Sequence, residues 1–263
     1  MPTSMLYVLN GQKIVVDCGL GVTKGLVDQG MQLEDLSLII ISHLHSDHYL
    51  ELGPLLHTAW TAGLKTRVEI YGPPGLDIYW EGFCLSMKAD IDLRIEDEGR
   101  PDLRDLITIH PIDAGFVLSR GGIAISAIRN DHPPLVDTFA LSFKTDDVHV
   151  VFSGDTAPLK ALEEFARGAD LLIHEAMLES ALPALIKRVG NGSDKLMAHL
   201  LRSHTFAHDA ATIASNAGVK RLALMHLLPS DDPAYGLKDW QDACAGYYDG
   251  ELIVGQDALR IAL

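Results

Sequence analysis

Residues 43–48 read His-Leu-His-Ser-Asp-His and directly follow the apolar segment Leu36–Ser42. Such a β-branched run is typical of a strand that is buried on both faces. In the extended tail of that strand the first two histidines point to one side, and a tight turn can bring the aspartate and the third histidine to a neighbouring position. Imidazole and carboxylate ligands suit zinc, and one ion cannot easily use all four at this spacing, so the pattern predicts two metal ions about 3.5–4 Å apart. The four predicted ligands are His43, His45, Asp47 and His48.

Several later apolar strands also end in histidine or carboxylate residues. Strand ends along one edge of a sheet can converge on a common site, and four such junctions besides HLHSDH are hard to assign to chance. Taken singly, each has a structural interpretation as a turn cap or a buried hydrogen-bonded histidine. The residues at these strand ends are Asp131 and His132, Asp155, His174 and Glu175, and His226.

The remaining pattern predicts a β-rich chain with interleaved helices. Asn10-Gly11 between two short apolar runs predicts a hairpin. Apolar periodicity continues almost to the end of the chain, where residues 258–261 are predicted to form a last strand. These features predict sheets with helices packed outside them, in a single domain over 1–263. The charged segment 88–106 is predicted to be an exposed loop that acts as a lid.

The amino-acid composition limits the classes of molecule that this protein is expected to bind. The 21 Lys and Arg against 36 Asp and Glu give a net charge of −15, which argues against a nucleic-acid partner because binding phosphates needs cations. The three cysteines form no CxxC pair, which favours a reducing compartment. No signal-peptide pattern and no apolar run of about 18–20 residues is visible, so we expect a cytoplasmic protein without a membrane anchor.

These motifs together resemble the metallo-β-lactamase-fold hydrolases, and within them the tRNase Z-like branch. The resemblance rests on HLHSDH, on the downstream Asp131-His132, and on the segments SGDT at 153–156 and HEA at 174–176, followed by His226. Matches to the tRNase Z-like branch are Asp17-Cys18-Gly19, YGPPGL at 71–76 and His204-Thr205-Phe206-Ala207. The resemblance covers residues 13 to about 230 and implies an α/β fold, a four-layer αββα sandwich with the metals at one sheet edge.

Carried over by position, the resemblance implies two zinc ions, although His and Asp ligands also accept manganese or iron. One ion would be held by His43, His45 and His132, the second by Asp47, His48 and His226, and Asp155 would bridge both. The resemblance further implies a metal-bridging hydroxide as nucleophile and includes Asp47 among the catalytic residues.

Three further residues have implied roles near the metals. His204, oriented by Glu175, would act as general acid or as donor to the developing oxyanion. Asp17 would hold a ligand histidine in position. By themselves, these residues also fit a surface histidine, a structural partner and a turn cap, respectively.

This sequence departs from the tRNase Z pattern in two places. The long arm that grips tRNA lies between the equivalents of His132 and Asp155, and here only 22 residues separate them, enough for one hairpin. The family's opening glycine-rich strand is also missing. An uncovered sheet edge could pair with a second copy of the chain, which makes a homodimer one expectation.

The function expected from these residues is hydrolysis of a small anionic ester, either a phosphodiester or an aryl sulfate, with a small molecule as substrate. A tRNA 3′-processing endoribonuclease and a lactone or carboxylic-ester hydrolase are the alternatives that use the same site. A non-catalytic scaffold is disfavoured, because such a protein is expected to lose metal ligands and none is lost here.

Overall fold

The computed structural model describes residues 3–263, whose contacts form two compact units, one up to Ile112 and one from Asp113 to Leu263. Each unit is built on one mixed β-sheet with helices against it, as the alternation of strand and helix patterns predicts. The single domain over 1–263 stays a prediction. No helix of the described chain is both long and apolar enough to cross a membrane.

The sheet of the first unit has five strands in the order β1-β2-β3-β4-β5. The hairpin predicted at Asn10-Gly11 is confirmed, with Leu9 opposite Gln12, and the other neighbours are parallel. The central strand β3 is the one that leads into HLHSDH. The strands are β1 Met5–Leu9, β2 Gln12–Val16, β3 Leu38–Ile40, β4 Val68–Gly72 and β5 Ile107–Pro111.

Six helices accompany this sheet. The core between sheet and helices is apolar and includes the fully buried Trp60 of α3, whose indole N–H donates to Pro101 O over 2.8 Å. The helices are α1 Val22–Asp28, α2 Ser46–Tyr49, α3 Leu52–Thr61, α4 Leu76–Ser86, α5 Lys88–Glu98 and α6 Leu103–Leu106, and a 3₁₀ turn covers Leu33–Asp35.

The prediction of a loop over 88–106 is wrong, because most of this segment is helical in α5 and α6. Its charges form pairs at helical spacing, including Arg94 with both Asp90 and Glu98 at 2.9 Å. Opposite charges four residues apart stabilise a helix. Ile91 and Leu103 are fully buried in the core, so the segment is anchored by its apolar residues.

The sheet of the second unit has seven strands in the order β12-β11-β10-β9-β8-β7-β6. Strands β6 to β9 pair antiparallel with their neighbours, whereas β9 to β12 are parallel, so the carboxyl ends of β9, β10 and β11 meet at one edge. The strands are β6 Gly115–Arg120, β7 Ile123–Arg129, β8 Phe139–Lys144, β9 His149–Phe152, β10 Leu171–Met177, β11 Arg221–Leu228 and β12 Glu251–Val254.

Five helices belong to this unit, and one of them has no counterpart in the sequence analysis. This helix, α9, directly precedes His204. The strand predicted over 258–261 is not formed, since this segment has turn and irregular structure. The helices are α7 Lys160–Phe165, α8 Leu182–Val189, α9 Lys195–Ser203, α10 Ala207–Ala217 and α11 Leu237–Cys244, with a 3₁₀ turn at Glu179–Ala181.

Gly154, between β9 and Asp155, has a left-handed backbone with φ of 60°. A Cβ at this position would lie 2.6 Å from Phe139 O. We expect Gly154→Ala to lower the free energy of unfolding by about 2 kcal/mol or more, from strain and clash together. Gly168→Ala is the matched control, since Gly168 has φ of 64° but open space around it, so only the strain of about 1 kcal/mol remains. Urea unfolding measures both, and equal losses would contradict the clash.

Candidate metal centre

The HLHSDH segment combines a strand end with one turn of helix. His43 follows β3, and the chain stays extended through His45, whose φ and ψ are −86° and 142°. Helix α2 then begins at Ser46 and carries Asp47 and His48. The ring of His43 lies 5.0 Å from that of His45 and 4.0 Å from that of His48, measured between centroids. The segment therefore gathers its three imidazoles, as the turn predicted at Ser46 requires.

Asp17, directly after β2, orients His48 directly and His43 through Ser42. Its carboxylate is fully buried and accepts the backbone N–H and the hydroxyl of Ser42 at 2.7 and 2.9 Å. It also lies 2.8 Å from His48 Nδ1, and Ser42 Oγ lies 3.0 Å from His43 Nδ1. The Ser42 proton is donated to Asp17, so His43 donates through Nδ1–H to Ser42 Oγ, and His48 donates through Nδ1–H to the Asp17 carboxylate, which can only accept. That tautomer places the lone pair of each ring on Nε2, the form in which histidine binds a metal.

Asp17 also has a left-handed backbone, with φ of 60°, a conformation that asparagine adopts as readily as aspartate. We expect Asp17→Asn to weaken metal binding by about 10- to 100-fold, because the amide cannot accept all three hydrogen bonds. Competition with a chelator measures the dissociation constant. Asp35→Asn, which removes an exposed carboxylate paired with Lys13, should leave it unchanged. An unaltered constant in Asp17→Asn would contradict this role.

In the second unit, a β-bulge places His226. The pairing of β10 with β11 passes from Glu175–Met225 to Ala176–Leu227, so His226 is the extra residue, and its φ is 47°. A bulge re-aims a side chain at the cost of a ladder position. His226 Nε2 comes to 3.4 Å from Asp155 Oδ2, and both side chains are almost fully buried.

His132 follows β7 and is 1% exposed. Its Nδ1–H donates to Ser203 O at 2.7 Å, which again places the lone pair on Nε2. The loops around it are joined by Asn130, whose amide donates to Ser153 O at 2.6 Å and to Asp155 O at 3.2 Å. Two strand ends distant in sequence are thereby held next to each other.

His204 and Glu175 form a buried pair. His204 Nδ1 lies 2.9 and 3.1 Å from the two carboxylate oxygens of Glu175, which also accepts the Thr156 N–H at 2.7 Å. Burial raises the pKa of Glu175, and the nearby Asp155 adds to the rise while His204 opposes it. With 8% exposure, His204 is not a surface histidine. The ring is thus fixed by the carboxylate, as the resemblance implies.

The second unit also brings candidate ligand atoms together. One group is His132, Asp155 and His204, and another is Glu175, His204 and His226; in each, the ligand atoms lie within 4.8 Å of one another. Imidazole nitrogens and carboxylate oxygens are a donor set that fits a divalent metal. The assignment of the seven ligands to two metal ions stays a prediction.

Sequence reasoning did not single out several residues that support these side chains. Ser42, Asn130 and Ser203 hydrogen-bond to His43, to the backbone carbonyl of Asp155 and to His132, respectively, and no motif marks them. His174 is fully buried, donates from Nδ1 to Glu175 O, and burial lowers its pKa to about 4, so its ring is neutral. Outside this site, His57, His110 and His149 pair with Asp90, Glu69 and Ser142, respectively.

Comparison with known proteins finds a matching family and several similar proteins. The family described as anti-Pycsar protein Apyc1 matches residues 1–226. Ribonuclease Z of Mycobacterium bovis is 30% identical over 98% of this chain and 90% of its own length, and that of Mycobacterium marinum is 29% identical over 98% and 91%. Two solved structures share the fold: the metallo-β-lactamase-fold protein YhfI from Bacillus subtilis (TM-score 0.69, 21% identity, covering 97% of this chain and 89% of that one) and the short form of human tRNase Z (0.68, 20%, 99% and 92%).

Proposed function

Because the chain belongs to the family of the anti-Pycsar protein Apyc1 and is a ribonuclease Z-like hydrolase of the metallo-β-lactamase fold, we propose that it hydrolyses a small phosphodiester with two bound metal ions. The observation that carries the proposal is that His43, His48 and His132 each donate from Nδ1 to an oxygen acceptor, so that Nε2 can bind metal. The metal content of the purified protein is therefore the quantity to measure.

The proposed ligand assignment is the one that the resemblance implies. His43, His45 and His132 would hold one ion, Asp47, His48 and His226 would hold the other, and Asp155 would be shared. Zinc is the metal favoured by the histidines, with manganese or iron compatible with the same ligands. Two such ions, when bound, supply a nucleophile at neutral pH and offset the charge of the attacking and leaving oxygens.

Residues of this chain orient the proposed metal ligands and supply a proton donor. Asp17 and Ser42 keep His43 and His48 in the tautomer that binds metal. Glu175 holds Nδ1 of His204, so that Nε2 is the atom that can donate to the leaving oxygen or to the developing oxyanion. Buried surroundings strengthen each of these interactions, because little water competes for them.

One observation favours a phosphodiester over the other ester classes, and two more favour a small substrate over a nucleic acid. The relatives at about 30% identity carry the name ribonuclease, which denotes cleavage of a phosphodiester bond. A tRNA-binding arm has no place in this chain, because the segment between His132 and Asp155 contains only β8, β9 and their connections. A net charge of −15 likewise disfavours a large nucleic acid as substrate.

The test is a panel of p-nitrophenyl substrates that release the same chromophore. We expect metal-loaded protein to hydrolyse bis(p-nitrophenyl) phosphate, whereas p-nitrophenyl sulfate and p-nitrophenyl acetate react at the rate of the metal-free protein. Nucleoside cyclic monophosphates extend the panel to natural small phosphodiesters. Metal-dependent turnover of the sulfate or acetate alone would overturn the proposal.

Cleavage of tRNA is the second candidate, and the names of the relatives favour it. It requires binding of precursor tRNA that weakens steeply with salt. A flat binding titration at low salt, together with turnover of the small phosphodiester, would exclude it, whereas cleavage at the 3′ end of the mature tRNA would replace our proposal.

A further inference from the structure

The helices α8 and α9 carry an unusual charge for this acidic protein. Their seventeen residues, Leu182–Val189 and Lys195–Ser203, contain four lysines and arginines and no carboxylate. Arg188 pairs with Asp231 at 2.8 Å. Over the described chain, no ion pair engages Lys187, Lys195 or Arg202. A local excess of cations persists here against a net charge of −15.

Helix α9 separates an apolar face from a basic one. Leu196 and Leu200 pack into a cluster with Met177 and Leu182, which anchors the helix to β10 and α8. Lys195, His199 and Arg202 follow the spacing i, i+4 and i+7, so they share a second face. Lys195 and Arg202 are exposed, and His199 is half-buried between them. The two cations are thus presented to solvent on a helix that is held firmly.

His199 locates this basic face relative to the candidate metal centre. Its ring centroid lies 6.2 Å from that of His132 and 5.9 Å from that of His204. Its Nδ1 lies 3.3 Å from Ser203 Oγ, whose hydroxyl donates to Pro133 O. The middle of the face is therefore adjacent to two residues of the centre, and the two cations lie about one helical turn to either side of it.

We propose that Lys195 and Arg202 form a subsite for a second phosphate, so that the substrate is a small phosphodiester with a further phosphate group beyond the scissile bond. The inference rests on the proposed function for the scissile group. The helix rises about 10 Å from Lys195 to Arg202, a separation that two long, exposed side chains can bridge to contact one phosphate. Two cations that form no ion pair within residues 3–263 suit an added dianion, which provides charge-assisted hydrogen bonds.

The test compares two ligands that differ only in the added phosphate. Thymidine 5′-phosphate and thymidine 3′,5′-bisphosphate are titrated calorimetrically into metal-loaded protein. We expect the bisphosphate to bind about tenfold more tightly, and the ratio of the two dissociation constants to approach one in the double variant Lys195→Gln, Arg202→Gln. Lys160→Gln, which removes an exposed cation from α7, is the control and should keep the wild-type ratio.

Turnover separates this inference from the proposed function. The p-nitrophenyl ester of thymidine 5′-phosphate, with and without a 3′-phosphate, should show a KM that rises about tenfold in the double variant only for the phosphorylated substrate, with kcat unchanged. Absence of turnover in wild type would contradict the proposed function and leave the binding ratio as the readout. A ratio near one in wild type, or one unchanged in the double variant, would overturn the subsite.

Discussion

Asp47→Ala is expected to lower kcat/KM for bis(p-nitrophenyl) phosphate by about 10³-fold or more, because loss of a metal ligand removes both nucleophile activation and charge stabilisation. The residue lies on α2, with a carboxylate oxygen 3.7 Å from His48 Nε2. Its side chain is 37% exposed, so its removal creates no cavity in the core and the fold should persist.

The control for Asp47 is Asp131→Ala. Asp131 is an exposed aspartate directly before His132, and only its backbone atoms make the hydrogen bonds to Thr156 and Ala157. We expect near wild-type kcat/KM and metal content in this variant. Circular dichroism and unfolding in urea verify that both variants fold. Activity within tenfold of wild type in Asp47→Ala would remove Asp47 from the proposed catalytic set.

His204→Ala is expected to lower kcat by about 10²- to 10⁴-fold, the usual contribution of general acid–base catalysis, while metal content stays unchanged. The ring is nearly buried and fixed by Glu175, so it can deliver a proton or a hydrogen bond along one direction. Stopped assays at saturating substrate measure kcat, and His208→Ala, which removes a half-buried histidine of α10, is the matched control.

The leaving group distinguishes the two roles open to His204. A general acid matters most for an alkoxide leaving group, whereas p-nitrophenolate needs no proton. A loss that is larger for an alkyl phosphodiester than for the p-nitrophenyl ester therefore identifies an acid. An equal loss identifies a donor to the developing oxyanion, and no loss with either substrate would show that His204 has neither role.

The parts of the fold that follow local patterns could be predicted from the sequence. The Asn10-Gly11 hairpin and the buried strand before HLHSDH depend on neighbouring residues alone, and both are formed. Strand order was not predictable from those patterns, but the convergence of parallel strand ends was a sound expectation, because β9, β10 and β11 share one edge. Asp155, after β9, and His226, near the end of β11, meet there as a result, with His226 Nε2 3.4 Å from Asp155 Oδ2.

Features that depend on tertiary context were missed or misread. The bulge that places His226 arises from the register of β10 against β11, which no local pattern encodes. The segment 88–106 was predicted to be a loop because charged residues predominate in it. The apolar face of its helix consists only of Ile91 and its neighbours. Helix α9 was missed because its apolar residues pack on a small cluster of their own rather than on the main core.

Titration of metal-free protein with zinc or manganese, followed by metal analysis and hydrolysis of bis(p-nitrophenyl) phosphate, tests whether two bound metal ions are required for hydrolysis. The proposed site predicts two equivalents of metal bound per chain and turnover that appears only as the second is bound. Full turnover without metal, or a protein that binds none and cannot be reconstituted, would contradict a dinuclear metal-dependent phosphodiesterase.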